Sequence, residues 1–385
     1  MPTTPTYLTQ QQSRLLASRH LLSFLFVPNA PASATPDDLF NDRFSVTSLP
    51  ASAFTGGPDL FRWKSRIIYD VDDLELFHDH SLDLASDNEL TVRVAASDWL
   101  GTPVWSISAG PEYITLLMKK TLAFITGTDY LEPVYSDGEE TVRIVCYDYP
   151  KLGIKCRKGA EFVIVDLADQ IIIPIDRSAV AKYPSPRTVW SPYDNLTGAR
   201  IGHRRWAWQR KNESVPEWKA NKDNLHDQIA SARQGVVIKL TTPNVILVGQ
   251  QTDYYCAPAT AQMILKQHGM TKSQNEIADA METTEEDGSS LQNQETSIAE
   301  LTDSALEGDL DNYEDFAKAQ AEILANRSFK SGTVTDHARA CGGYKLHNGI
   351  KWLIIYDPWP SNQGRRKFEE WDAGDHKNFM YVRPA

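Results

Sequence analysis

Apolar residues are spaced differently in the two halves of the chain. From about residue 60 to 180 they come in short β-branched runs, at 66–71, 90–95, 141–147, 161–166 and 171–175, parted by turn residues. Such runs predict strands, and this half reads as a β-rich domain, a sandwich or half-barrel. One stretch within it, 113–125, has helical spacing. Helical periodicity returns at 259–268, where Ala259, Met263, Ile264 and Gln267 recur in steps of three and four. Runs at 236–240 and 245–248 predict strands leading into that helix, and 225–233 predicts a short helix. Residues 350–356, apolar except for Lys351, read as a clear strand. At the start of the chain, 10–26 reads as an amphipathic helix ended by Pro28. The same run, 21–27, follows Arg14 and Arg19 and precedes Ala32-Ser33-Ala34, so a secretory signal is the alternative reading. Residues 28–60, rich in Pro, Ala, Ser, Asp and Gly, read as a loop or strap.

The pattern divides the chain into an N-terminal helix and loop (1–59), a β-rich accessory domain (60–183), a Trp/Arg-rich linker (184–221) and a C-terminal domain (222–385). A length of 385 residues agrees with more than one domain. The linker interleaves Trp190, Trp206, Trp208 and Trp218 with basic residues. Its tryptophans are expected to dock on the body while the arginines snorkel and pair with acidic neighbours. Net charge is −12, from 39 Lys plus Arg against 51 Asp plus Glu. That balance gives no global attraction to nucleic acid. No apolar run is long enough for a membrane helix. The four cysteines, Cys146, Cys156, Cys256 and Cys341, are too few for a disulfide scaffold, and no metal-type pair occurs. Cys146 and Cys156 flank a hairpin and read as two small unpaired residues, a disulfide being the alternative. Between cytoplasm and secretion through residues 1–34, the sequence leans to the cytoplasm.

The chemistry-bearing stretch is 250–269. Pro258 fits only the first turn of a helix, and Gly269 supplies its stop, so the helix begins near Cys256. A thiol there meets unpaired N–H groups and the positive end of the helix dipole, which favour the thiolate. The alternative is a buried cysteine that merely starts a core helix. Gln250, six residues earlier, is placed to donate to an oxyanion together with the Cys256 N–H. His337 precedes a second segment, and Asp357 ends the strand 350–356. If the loop runs over 345–349, residue 337 lies opposite 357, and Asp357 orients the His337 ring toward Cys256. His268 and His347 are poorer candidates. Cys341, four residues after His337, is expected on the same face, lining the cleft.

The order Gln250, Cys256, His337, Asp357 resembles the papain-like cysteine peptidases. The block running from Cys256 into a helix, Gly343-Tyr344 and Asp357-Pro358 are closest to the bacteriocin-leader-processing branch and its stand-alone relatives. The resemblance covers roughly 245–385. It implies an α+β fold, with a nucleophile helix packed on an antiparallel sheet behind the β-rich N-terminal domain. It implies that Cys256 is the nucleophile, His337 the base, Asp357 the orienting residue and Gln250 the oxyanion donor. Trp359 matches the tryptophan that shields the histidine hydrogen bond. Ala257-Pro258 departs from papain itself. Arg339 and the Gly342-Gly343 pair depart from the usual apolar strand and leave a substrate-binding role open for Arg339.

The expected activity is hydrolysis of peptide bonds, with a peptide or protein substrate and no cofactor or metal. The alternatives are acyl transfer or deamidation by the same triad, or an inert papain-like binding protein. No nucleic-acid or membrane partner is expected. The N-terminal domain is left to bind substrate or a partner, or to inhibit. The spacer between the nucleophile helix and His337, with its acidic residues from 282 to 315, is expected to hold helices, one opened by the Ser273-x-x-Glu276 capping box, and to form a solvated face.

Overall fold

A computed structural model of the chain describes residues 4–25, 61–83, 88–111, 113–136, 141–176, 189–194, 196–214, 237–333, 336–347, 349–373 and 376–385. The helix expected at 225–233, the loop at 28–60 and Trp218 lie outside the described residues.

Helix α1 (Gln10–Leu25) opens the chain and buries Leu16, Ala17 and Leu21. The N-terminal half then gives β1 (Lys64–Tyr69), β2 (Glu75–Asp83), β3 (Asn88–Ala95), β4 (Val104–Pro111), α2 (Tyr113–Thr126), β5 (Glu132–Pro133), β6 (Ile144–Asp148), β7 (Lys151–Lys158), β8 (Glu161–Asp166) and β9 (Ile172–Pro174). Helix α3 (Gly198–Ser214) lies within the Trp/Arg-rich stretch. Its Trp208 is buried, Arg205 pairs with Asp98 at 2.9 Å, and Lys211 pairs with Glu370 at 2.8 Å. The C-terminal part gives β10 (Val237–Leu240), α4 (Cys256–Gln267), α5 (Gln274–Ala280), α6 (Leu291–Leu301), β11 (Leu306–Asp311), α7 (Phe316–Leu324), β12 (Phe329–Thr333), β13 (Ala338–His347), β14 (Ile350–Asp357), β15 (Arg365–Glu370) and β16 (His376–Pro384).

The fold is α+β, as expected. The five strand runs of the N-terminal half and the helix at 113–125 form within two to three residues of their predicted limits. The capping box is present, with Ser273 Oγ accepting from the Glu276 N–H and the Glu276 carboxylate accepting from the Ser273 N–H. Strands β2 and β4 were not legible. β2 is buried on both faces, so its sequence ELFHDHSLD shows no alternation. Buried polar groups of β2 find partners inside, as where Arg93 Nε and Nη2 grip Asp79 at 2.8 and 2.7 Å, although His78 Nδ1 has none.

The strands of both halves belong to one sheet. Antiparallel pairing of β15 with β4, through Lys367–Ser108, Phe368–Ile107 and Glu369–Ser106, joins them. The main apolar cluster likewise runs from Leu16 of α1 to Val382 of β16.

Around the site, the sheet order is β16-β12-β13-β14-β15. One face carries Ala338, Ala340 and Met380, which share a cluster with Ala257 and Ala261 of α4. The other carries Phe329, Cys341, Phe379 and Tyr381, which share a cluster with Phe316, Ala319 and Ile323 of α7. Strand alternation thus sorts residues into a cleft side and a back side.

Two expectations fail here, one for lack of a free edge and one through register. The run 245–248 is not a strand. The first half of β13 is already paired by β12 and the second half by β10, so no ladder is open to it. It packs instead as an extended segment, with Val245 against Gly342. The β13–β14 loop is a two-residue turn, because His347 pairs with Ile350; it is not the longer loop 345–349.

Close backbone approach fixes the chain just before the nucleophile helix. A Cβ on Gly249 would overlap Gln363 N and lie 2.6 Å from Asn362 C. Those are main-chain atoms held by the Asn362 N–H bond to Gln250 O, so they cannot swing aside. Gly249→Ala is therefore expected to destabilise the fold by about 1–3 kcal/mol, as overpacking does. A urea midpoint equal to that of the parent would refute the close approach.

Candidate active site

Helix α4 begins at Cys256, and no side chain caps its N-terminus. The helix forms there because Pro258 and the run of Ala, Met, Ile and Leu that follows leave few alternatives, and its buried face locks it on the sheet. The half-buried Cys256 opens onto a cleft of about 460 Å³.

His337 arrives from a tight turn that precedes β13. Its N–H bonds Thr333 Oγ1 at 3.1 Å, its carbonyl accepts from the Thr333 N–H at 3.0 Å, and Asp336 takes a positive φ of 59°. Asp357 sits at the end of β14. His337 Nε2 lies 2.7 Å from Asp357 Oδ1, both groups buried, and His337 lines the same cleft as Cys256.

The predicted register was wrong, yet the contact survives. Ala340 faces Tyr356, so Asp357 stands opposite position 339 rather than 337. The His337–Asp357 contact is diagonal, and a long ring bridges it. An extra residue at Gly342 shifts the ladder, and a Cβ there would meet Val245 Cγ2 at 2.7 Å and Tyr356 Cε2 at 2.8 Å.

Charges tune all three groups. Burial raises the Cys256 thiol, but the His337 hydrogen bond and charge outweigh it, with the Ala338 N–H and Lys151 adding to them; the thiol ends below its ordinary value. Burial disfavours the His337 imidazolium, but the Asp357 charge and hydrogen bond, then Cys256, push it up to about 9. Asp357 is held well below the usual carboxylate range against burial, chiefly by His337 and Lys367. Burial pushes the other three thiols up to about 12.

Asp357 is braced on every side. Oδ1 also accepts the Trp359 N–H at 3.0 Å, and Oδ2 accepts from Lys367 Nζ at 3.1 Å. Lys367 in turn pairs with Glu369 at 3.1 Å, and Tyr149 of the N-terminal half donates to Glu369 Oε2 at 3.2 Å. Lys367 gave no signal in the sequence. It stands in a charged strand, and only pairing with β14 shows which way it points.

Gln250 is fully buried. Its Nε2 donates to Thr252 O at 2.7 Å, and its main chain is tied to Pro358 and Asn362. It is absent from the residues that line the cleft. A primary amide has two N–H groups, so one bond to Thr252 leaves a second hydrogen. Trp359 is buried in the main apolar cluster, and what it gives the Asp357 carboxylate is its main-chain N–H.

Arg339 and Cys341 are corrected by strand alternation. Both lie on the back side of β13. Arg339 is fully buried and pairs with Glu369 at 2.5 Å, so no route leads from it to a substrate in the cleft. Cys341 packs among Phe316, Phe329 and Tyr344 and donates to Gly343 O. Cys146 faces Leu152, and all four cysteines are free thiols.

The N-terminal half also reaches the cleft, which the sequence did not show. The β6–β7 turn brings Asp148 and Lys151 into its wall, opposite residues of α4 and α6. Among the described residues, no group of His, Cys, Asp or Glu could hold a metal ion, and no helix is long and apolar enough to cross a membrane.

Residues 242–379 match the model of the Peptidase_C39 like family. No curated protein matches the chain. Nine chains of known structure do. One is the peptidase domain of Streptococcus ComA, a bi-functional ABC transporter involved in a quorum-sensing pathway. It is 18% identical, over 36% of this chain and 98% of that one, at a TM-score of 0.29. Another is a C39-like peptidase from Bacillus anthracis, 11% identical over 38% of this chain and 98% of that one, at a TM-score of 0.30. The family match falls on the part of the chain whose residues carried the resemblance.

Proposed function

We propose that this chain, with its C39-like match at residues 242–379, is a cysteine peptidase that works through Cys256, His337 and Asp357. The observation that carries the reading is His337, bonded to the buried Asp357 carboxylate, lining one cleft with Cys256, whose thiol pKa its charge helps to lower. The Cys256 thiolate adds to the peptide carbonyl carbon, and the carbonyl electron pair moves onto oxygen. That oxyanion meets the N–H of Cys256 at the helix start; Gln250, buried and outside the cleft lining, is the proposed second donor through its remaining amide hydrogen. The oxyanion collapses, the C–N bond breaks, and the His337 imidazolium protonates the departing amine, leaving a thioester. His337 then takes a proton from water, whose oxygen attacks the thioester, and the thiolate leaves. Asp357 holds the ring throughout.

The acid–base state sets a test. The active pair is thiolate with imidazolium, present above the lowered Cys256 pKa and below the His337 value of about 9. Iodoacetamide is expected to alkylate Cys256 alone at neutral pH, at a rate that levels off at a lower pH than that of a free thiol, because the Cys256 pKa is lowered. Peptide hydrolysis is expected to decline as pH rises through about 9. A labelling rate that climbs about tenfold per pH unit would show an ordinary thiol and overturn the reading. New peptide termini identify hydrolysis; incorporation of an added amine would identify transfer.

A further inference from the structure

Two lysines of the cleft form no bond and move no proton in the acyl transfer, and neither lies at its exposed rim. Lys330 of β12 and Lys151 of β7, one from each half of the chain, both line it beside Cys256. Lys330 lies on the cleft side of the sheet and is buried to 3% exposure. Its Nζ donates to Asn378 Oδ1 at 2.8 Å, and among the described residues no carboxylate pairs with it. Asn378 reaches that position across Gly332, where any Cβ would overlap its side chain.

An ammonium removed from water needs an opposite charge or a full set of acceptors. One amide oxygen serves one of its three N–H groups. The other cleft cations are matched: Lys151 with Asp148 at 3.4 Å, and Lys377 with Asp336 at 2.6 Å. The remaining carboxylates belong to the rim, Asp287 exposed and Asp253 half-buried. The floor of the cleft is therefore positive next to the nucleophile, and the Cys256 thiolate is among the charges that act on both lysines.

We propose that Lys330, supported by Lys151, binds a carboxylate of the substrate beside Cys256. The substrate class is then peptides with a carboxylate next to the scissile bond, either a free C-terminus or an Asp or Glu side chain. This rests on Cys256 as the nucleophile. The site extends the reach of the N-terminal half into specificity, because Lys151 lies outside residues 242–379.

Iodoacetate and iodoacetamide differ by a carboxylate, so the ratio of their rates on Cys256 in the full chain reads the site without a known substrate. Lys330→Gln keeps a donor for Asn378 and removes the charge. It is expected to lower the iodoacetate-to-iodoacetamide ratio about tenfold, as loss of a hydrogen bond to a charged group does. Lys377→Gln, at the rim, is expected to lower it far less. An unchanged ratio in Lys330→Gln, or an equal fall in both variants, overturns the proposal. If Cys256 fails to react with iodoacetamide at all, it is the nucleophile reading that falls. The two carboxylate sources separate by protection of Cys256 from iodoacetamide. N-acetylated peptides with a free C-terminus are compared with their amides, and Glu peptide amides with Gln peptide amides. Protection by the first or second carboxylate names the source; no advantage for either overturns the site.

Discussion

Replacing Cys256 by alanine is expected to lower peptide hydrolysis by about four to six orders of magnitude, the loss that follows removal of a catalytic nucleophile. The fold should persist, because the thiol is half-buried and at the cleft surface, while the helix is anchored by Ala257, Ala261, Ile264 and Leu265. Release of new N-termini from an unfolded protein substrate, followed by mass spectrometry, checks the rate; circular dichroism checks the fold. A folded variant that cleaves at the parental rate would remove Cys256 from the mechanism. His337→Ala should behave similarly. The ring both lowers the thiol pKa and carries the proton to the leaving amine.

The second large effect is on stability. Arg339→Leu should destabilise the fold by about 3–5 kcal/mol, because it takes from the buried Glu369 carboxylate the nearer of its two cations and leaves only Lys367, which is shared with Asp357. Arg339 and Glu369 are both inaccessible to solvent and joined at 2.5 Å. Burial pushes Glu369 up, but Arg339 and then Lys367 hold it at about 2, so it stays charged. Removing both charges, as Arg339→Leu with Glu369→Gln, should recover much of the loss, since a neutral pair no longer needs a counter-ion. Urea unfolding of the single and double variants checks this. A single variant within about 1 kcal/mol of the parent would place Arg339 outside the core network. The distinction matters for function: a substrate-binding arginine would change KM and leave stability intact.

The same residue shows where the sequence stops being readable. Arg339 in β13, and Lys367, Glu369 and Glu370 in β15, look like exposed charge along the chain. They are buried because each meets an opposite charge from a neighbouring strand or helix. Hydrophobic periodicity cannot reveal a strand whose buried positions are ion pairs. The acidic spacer was easier. Its Ser273 capping box is local chemistry, settled within four residues, and the helix appears where expected. Cys341 was misplaced because counting from His337 assumed that the strand had already begun. The chain is still in a turn at Asp336, so the faces are set from Ala338 onward.

The sequence by itself determined the elements whose signals are local. These are the helix that starts at Cys256, the strand that ends at Asp357, the short β runs of the N-terminal half, and the order of cysteine, histidine and carboxylate. Only the tertiary structure decided the rest. It set the two-residue turn and the extra residue at Gly342, which make the His337–Asp357 contact diagonal. It turned Arg339 to the back of the sheet and Lys330 to the floor of the cleft. It joined β15 to β4, so that Tyr149 braces the network behind Asp357 while Asp148 and Lys151 form a wall of the cleft. The physical reason is range. Capping, turns and periodicity act within a few residues, whereas register and the pairing of buried charges depend on which strands meet, and the sequence does not state that locally.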